Sequence, residues 1–178
     1  MPPTLSHAFT LRAYVSHEHA ISVKTVKGGP QRMSIPIQSG YLHGSGIEAE
    51  IIPGGADWPV APTHKIPRQF IPLDPTASTL HIGARLNLKT STGEAIYIQH
   101  SGVLKIDEKS KSNMGPSKDA KSTQFGDHEL FVTPVIETSD ASLKWVEAAS
   151  LVAEGRWIVE ERKKGVEYEV YVVRSSGE

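Results

Sequence analysis

The chain has no cysteine. Disulfides, thiolate metal sites and a cysteine nucleophile are therefore excluded. It also lacks an excess of either charge: 19 Lys and Arg against 20 Asp and Glu leave a formal net charge of -1. A generic nucleic-acid surface carries a basic excess, so none is expected here. No apolar run approaches the roughly 18 residues needed to span a membrane. The opening Met-Pro-Pro-Thr-Leu-Ser-His has none of the basic-then-apolar pattern of a secretory signal. GxSxG, P-loop, GxGxxG and HExxH patterns are all missing. These absences predict a cytoplasmic protein with no nucleic-acid or membrane partner. At 178 residues the chain reads as one domain across 1–178, long enough to bury a core without covalent staples.

What is present is turn-rich and strand-like. The 15 glycines and 12 prolines imply many turns and few long helices. Apolar residues recur at spacing two, the period of a half-buried strand. Leu80, Ile82, Ala84, Leu86 and Leu88 share one face; His81, Gly83, Arg85 and Asn87 share the other. After the turn Thr90-Ser-Thr-Gly-Glu94, the run Ala95–Leu104 alternates again, so the pair reads as a β-hairpin. Further strands are predicted over Phe9–Val15, Ile21–Val26, Gly40–Leu42, Gly46–Ile52, Ser150–Ala153 and Val166–Val173. In the last, Val166, Tyr168, Val170 and Val172 lie on one face. A short helix is expected from Ala141 to Val146, capped by Ser139-Asp140. Many short strands with regular turn signals favour a sandwich or a closed antiparallel barrel.

Two stretches break the pattern. Pro53–Pro75 holds six prolines; each removes a backbone donor, which argues against a central strand. Residues 107–127 contain no Leu, Ile or Val and read as a long, mobile polar loop, either a surface excursion or a lid.

Several residues could carry chemistry. In Gly54-Gly-Ala-Asp-Trp-Pro59 the glycines permit a tight turn, and Pro59 forces Trp58 away from the helical region. Asp57 could then accept a proton or orient a cation, and Trp58 could wall an aromatic-ligand pocket. Equally, Asp57 could satisfy turn amides and Trp58 plug a barrel end. Tyr97 and Gln99 share one strand face; Ile96, Ile98 and His100 share the other. His100 is a candidate general base or a structural histidine. Tyr41, His43 and Trp145 are weaker pocket-wall candidates. His17-Glu18-His19 is the tightest histidine group, but no third ligand follows by spacing, so no metal is expected.

The motifs occur in a recognisable order. Gly29–Gly40 precedes Gly44-Ser-Gly-Ile-Glu-Ala-Glu-Ile-Ile-Pro-Gly-Gly-Ala-Asp-Trp58. Then come Gly83-Ala-Arg-Leu-Asn-Leu-Lys-Thr90, Gly93-Glu-Ala-Ile-Tyr97, Thr133-Pro-Val-Ile-Glu-Thr-Ser-Asp140, Trp145 and Gly165-Val-Glu-Tyr-Glu-Val-Tyr171. This order resembles the small bacterial and fungal β-barrel family catalogued as a domain of unknown function, number thirty-two thirty-seven. The resemblance implies an all-β, calycin-like antiparallel barrel with one short helix, a long polar loop, a central pocket and no cofactor. Fungal barrels that guide hetero-Diels–Alder coupling in tropolone–sesquiterpene biosynthesis look similar in general character. The chain departs from the family pattern at Thr63-His64-Lys65, at Thr90–Gly93 and in the length of 107–127. These are loops, where ligand choice is set.

The resemblance places Arg85 in the lumen, beside His81 and facing Tyr97 and Gln99, where a fixed cation would grip an enolate or carboxylate oxygen. Outside the barrel these residues would simply be solvated. Glu137 could pair with Arg85 across the pocket, or serve the helix N-terminus as an acid. The expected catalytic set is Asp57, Arg85, Glu137 and His100. The expected substrate-binding set is Trp58, Tyr41, His81, Tyr97, Gln99 and Trp145. Together they suggest a cofactor-free enzyme of secondary metabolism that takes an aromatic, polyketide or terpenoid small molecule and assists dehydration and cyclisation. The alternative is a non-catalytic carrier barrel for a small apolar ligand. A strand edge left exposed would be compatible with a homodimer.

Overall fold

The computed structural model describes residues 2–24, 26, 30–61, 79–107, 110, 112–114, 117–161 and 163–177. Its strands are β1 (Thr4–Val15), β2 (Ile21–Val23), β3 (Gln31–Gly44), β4 (Ile47–Asp57), β5 (Val60–Ala61), β6 (Thr79–Thr90), β7 (Ala95–Lys105), β8 (Leu130–Thr138), β9 (Leu151–Glu160) and β10 (Lys163–Arg174). All pair antiparallel within one 10-stranded sheet. The order runs β1-β10-β9-β8-β7-β6-β4-β3, and β3 pairs back onto β1, which closes the sheet into a barrel. The all-β antiparallel barrel expected from the sequence is the observed fold. Among the described residues no helix is long and apolar enough to cross a membrane.

Alternation decides which side chains face inward. Leu80, Ile82, Ala84, Leu86 and Leu88 of β6 are buried, as are Ile96, Ile98, His100 and Leu104 of β7 and Leu130, Val132 and Ile136 of β8. Phe9 and Leu11 of β1, and Tyr168, Val170 and Val172 of β10, fill the same interior. Each large aliphatic or aromatic side chain removed from water contributes roughly 1.5–3 kcal/mol. The aliphatic face of β6 is thus the barrel interior. The face carrying His81, Arg85 and Asn87 is the outer wall, and the expectation of a luminal Arg85 is corrected. A guanidinium on the inside would have to displace this aliphatic packing without a buried partner.

Some strands run further than their sequence pattern suggests. β8 is not among the strands expected from the sequence, and it carries Pro134 at its centre. Pro134 pairs with His100 of β7 on one side, whereas the β8–β9 pairing is confined to Phe131–Glu154 and Val132–Ala153. The missing N–H therefore falls beyond the β8–β9 ladder. β4 likewise continues through Pro53 to Asp57, with register breaks against both neighbours between about residues 52 and 56. Of the proline-rich stretch, Pro53–Asp57 and Val60–Ala61 therefore contribute strand, and residues 62–78, including Thr63-His64-Lys65, lie outside the described residues. Helical structure spans Ala141–Ala148 as a 3-10 helix, close to the expected helix. Its N-cap Asp140 accepts a hydrogen bond from the Ser142 N–H, and Leu143 and Val146 are buried against the barrel.

Where β9 leaves β8, the segment after β7 takes its place. The Trp157 N–H donates to Thr123 Oγ1 at 3.0 Å, the Val159 N–H to Ser122 Oγ at 2.8 Å, and the Thr123 N–H to the Trp157 carbonyl at 3.0 Å. The polar segment read as a loose excursion is, over 122–124, bonded along the edge of β9. Polar side chains make such pairing available without any apolar contribution, so a hydropathy pattern does not reveal it.

On the outer wall Glu167 is 3% exposed and lies between two arginines. Arg12 Nε donates to Glu167 Oε2 at 2.5 Å, and Arg156 donates from Nε at 2.9 Å and Nη2 at 2.6 Å to Oε1. This ties β1, β10 and β9 together at the closure. Arg156 also lies over the Phe125 ring, 4.9 Å from its centroid. Replacing Glu167 with Ala leaves two half-buried guanidiniums without the carboxylate between them. The expected loss is about 3 kcal/mol, read as a lower urea midpoint, with Glu167→Gln losing less because its amide oxygen can still accept.

Candidate active site

Asp57 ends β4 and is the cross-strand neighbour of Ala84; Ala84 neighbours His100, and His100 neighbours Pro134. Cross-strand neighbours point to the same side of a sheet, so Asp57 and His100 both face the interior. From β10, Tyr168 connects the two. Its ring meets the His100 imidazole edge-on, with centroids 5.1 Å apart, and the Asp57 charge acts on its phenol. Gly155 of β9 makes room for the ring. A Cβ there would stand 2.8 Å from Tyr168 Cε1 and 2.6 Å from Leu130 Cδ2, closer than packed atoms approach. Asp57, His100 and Tyr168 thus form a polar cluster inside an aliphatic wall.

Burial shifts each of them toward its neutral form. Burial pushes the Asp57 carboxyl up to about 6, against opposing hydrogen bonds from the Gly83 and Trp58 amides. The Gly83 N–H donates to Asp57 Oδ1 at 3.1 Å. Burial lowers the His100 imidazole to about 4, so it is neutral at pH 7. Its Nδ1 is shielded from solvent and has no hydrogen-bond partner among the described residues. Burial first, then the Asp57 charge, raises the Tyr168 phenol above its ordinary value, which keeps its O–H intact. The arrangement offers a carboxylate poised near neutrality, a neutral imidazole and a phenol donor, the groups used in general acid–base chemistry.

The other sequence candidates are brought to different places. Arg85 is exposed and lies over the Trp58 ring, 5.4 Å from the centroid, so both sit on the outer wall. His81 and Gln99 are exposed on the same surface. Tyr97 and Glu137 are cross-strand neighbours, as their motifs allowed, but they line an open outer groove of about 690 Å³ together with Lys144 and Glu147. Tyr41 stands outside against Arg12, and Trp145 is 37% exposed on the 3-10 helix. The expected pairing of Glu137 with Arg85 across a pocket is replaced by two separate positions on the outer wall. For His81, Arg85, Tyr97, Gln99 and Glu137 the reason is shared: on β6, β7 and β8 the polar residues alternate with an inward aliphatic row. Sequence reasoning passed over Tyr168, although its place among Val166, Val170 and Val172 was the available signal. Among the described residues no group of His, Asp or Glu side chains is arranged to hold a metal ion. His19 Nδ1 instead meets Ser16 Oγ at 2.8 Å.

The two shifted groups respond to pH in opposite senses. Asp57 is raised in the fold, so its contribution to stability is fully present below its unfolded value near 3.8 and is lost as pH rises through about 6. His100 is depressed, so its contribution is present above 6.5 and is lost as pH falls toward about 4. Asp57→Asn is expected to exceed wild type in stability by about 1–3 kcal/mol at pH 7.5, with the advantage gone by pH 4. His100→Gln is expected to improve relative to wild type over the same fall in pH. Denaturant midpoints across pH 4–8 measure both slopes.

The model of the family described as Protein of unknown function (DUF3237) matches residues 3–173. None of the curated proteins matches the sequence. Among solved structures, a conserved protein of unknown function from Rhodopseudomonas palustris superposes with a TM-score of 0.74 at 18% identity, covering 97% of this chain and 99% of the other. A β-barrel-like protein from Acinetobacter baumannii gives 0.68 at 20% identity, covering 98% of each chain. A structure described as an enzyme from Penicillium herquei gives 0.57 at 13% identity, covering 98% of this chain and 96% of that one. At these identities the likeness concerns the fold.

Proposed function

The chain belongs to the DUF3237 family, and we propose that it is a small-molecule enzyme working by proton transfer inside its barrel, with no cofactor taking part. The observation that carries this reading is the convergence of Asp57, His100 and Tyr168 within an otherwise aliphatic interior. A mostly apolar site with a few convergent polar groups suits a small organic ligand. Asp57, with its pKa near 6, is largely a carboxylate at pH 7 and takes a proton from the ligand. Tyr168 donates a hydrogen bond to the charge that develops, and neutral His100 hands a proton onward or orients the ligand. The Penicillium herquei relative is described as an enzyme, which supports catalysis in this fold.

The finer form of the reading is dehydration followed by ring closure of an aromatic, polyketide or terpenoid intermediate, as in a hetero-Diels–Alder coupling. Holding two unsaturated partners in a near-attack pose can lower a barrier by roughly 7–11 kcal/mol in ideal cases. In this form Asp57 triggers the elimination and the aliphatic wall aligns the product. Arg85 and Glu137, outside the wall, take no part.

One observation favours the carrier alternative: the inward rows of β6 to β8 are almost wholly aliphatic, as a passive apolar pocket requires. Deuterium exchange separates the two readings. 2-Tetralone, an aromatic ketone with activated α C–H bonds, is incubated with the protein in D2O and followed by NMR. The α C–H bond breaks, its proton passes to the Asp57 carboxylate, and the electron pair moves onto the carbonyl oxygen as an enolate; a deuteron then returns to carbon. Wild type is expected to accelerate exchange, with the rate rising through pH 6 and levelling above it. Asp57→Asn is expected to lose at least about 100-fold, and Arg85→Ala to keep the wild-type rate. Exchange no faster than in buffer, or an Asp57→Asn protein as fast as wild type, overturns the proposal; saturable binding without exchange favours the carrier.

A further inference from the structure

Trp157 presents a hydrogen-bond donor to the barrel interior that the cluster above does not use. It follows Gly155 on the inward row Leu151, Ala153, Gly155, Trp157, while Arg156 points outward to Glu167. Successive inward residues on a strand lie roughly 6–7 Å apart, and Gly155 pairs with Tyr168. The indole is therefore one step along the interior from the Tyr168 ring, beside Val166, and packs against the core. Its Nε1 is shielded from solvent and has no acceptor among the described residues. An indole N–H can only donate, and a buried donor left without an acceptor loses its hydration with nothing in return.

We propose that the Trp157 Nε1–H donates to a carbonyl oxygen of the ligand, so that the site takes flat, enolisable carbonyl compounds in preference to hydrocarbons of the same shape. The inference rests on the acid–base reading and deepens it. Asp57 takes the proton from the carbon beside the carbonyl, and the Trp157 N–H meets the oxygen on which negative charge gathers. Donors fixed in place before the charge appears stabilise it without reorganising. The apolar indole body supplies a wall for the ring system, and its nitrogen supplies the direction in which that ring system lies.

The test compares 2-tetralone with tetralin, which keeps the partly saturated ring system and lacks the oxygen. Wild type is expected to bind 2-tetralone about tenfold more tightly, the ratio that one neutral hydrogen bond provides. Trp157→Phe keeps an aromatic wall and removes the N–H. It is expected to bind tetralin as wild type does and to bring the ratio to near one. Asp57→Asn is expected to keep the binding preference while losing deuterium exchange, so a failure of the base assignment and a failure of the Trp157 assignment give different results. In wild type alone, the carbonyl stretch of bound 13C-labelled 2-tetralone is expected to move to lower wavenumber, which needs no variant to fold. A preference that survives in Trp157→Phe, an unshifted carbonyl stretch, or a wild type that shows no preference between the two compounds overturns the proposal. So does a wild type that binds neither.

Discussion

Strand β1 is hydrogen-bonded along one edge to β10 and along the other to β3, and the rest of the structure depends on that double pairing. An open sheet of these strands would expose a row of unpaired amides and carbonyls at each end. Closure joins those edges and turns one face of every strand toward a common interior. Phe9, Leu11, Leu86, Ile98 and Val170 then bury one another. The Arg12–Glu167–Arg156 bridge sits on the outside of the same seam. Gly40, at φ 147, allows β3 to approach β1 so closely that a Cβ there would overlap the Arg12 carbonyl. Closure is thus secured by backbone geometry, inward packing and an outer charge bridge.

The candidate site follows from that closure. Asp57, His100 and Tyr168 come from β4, β7 and β10, far apart in sequence, and meet because the sheet wraps round. The same desolvation raises the carboxyl and lowers the imidazole. An acid and a base that would differ in charge in water are therefore drawn toward neutrality together. Both shifts have one cause, the removal of each group from water. The mostly aliphatic rows around them exclude competing water and strengthen the few polar contacts that remain.

How much of this was legible in the sequence can be argued residue by residue. The hairpin from Leu80 to Leu104, the alternation of Val166–Val173 and the cap at Asp140 were plain, because period and turn chemistry are local properties. β8 carries at its centre Pro134, whose missing donor signals a broken strand unless one knows that its β9 neighbour diverges there. The pairing of residues 122–124 with β9 was hidden because it uses hydroxyls and main chain rather than apolar contacts. For the site, Asp57 and His100 stood out as residue types in suggestive places. Arg85 stood out for the same reason and proved to be on the outer wall over Trp58.

By itself, then, the sequence determined an all-β chain without thiol chemistry, and it sorted each strand into two faces. It also narrowed the titratable candidates to a short set. It did not determine which face is the inside. That is a property of the whole sheet: alternation is symmetric along a strand until closure assigns one row to a shared interior and the other to water. Only the tertiary structure placed the aliphatic row of β6 inward with Asp57, His100 and Tyr168, and Arg85, Tyr97 and Glu137 outward. The physical reason is burial: enclosing the aliphatic rows of all the strands together gains more than enclosing their charged rows could, since each enclosed charge would need a buried partner.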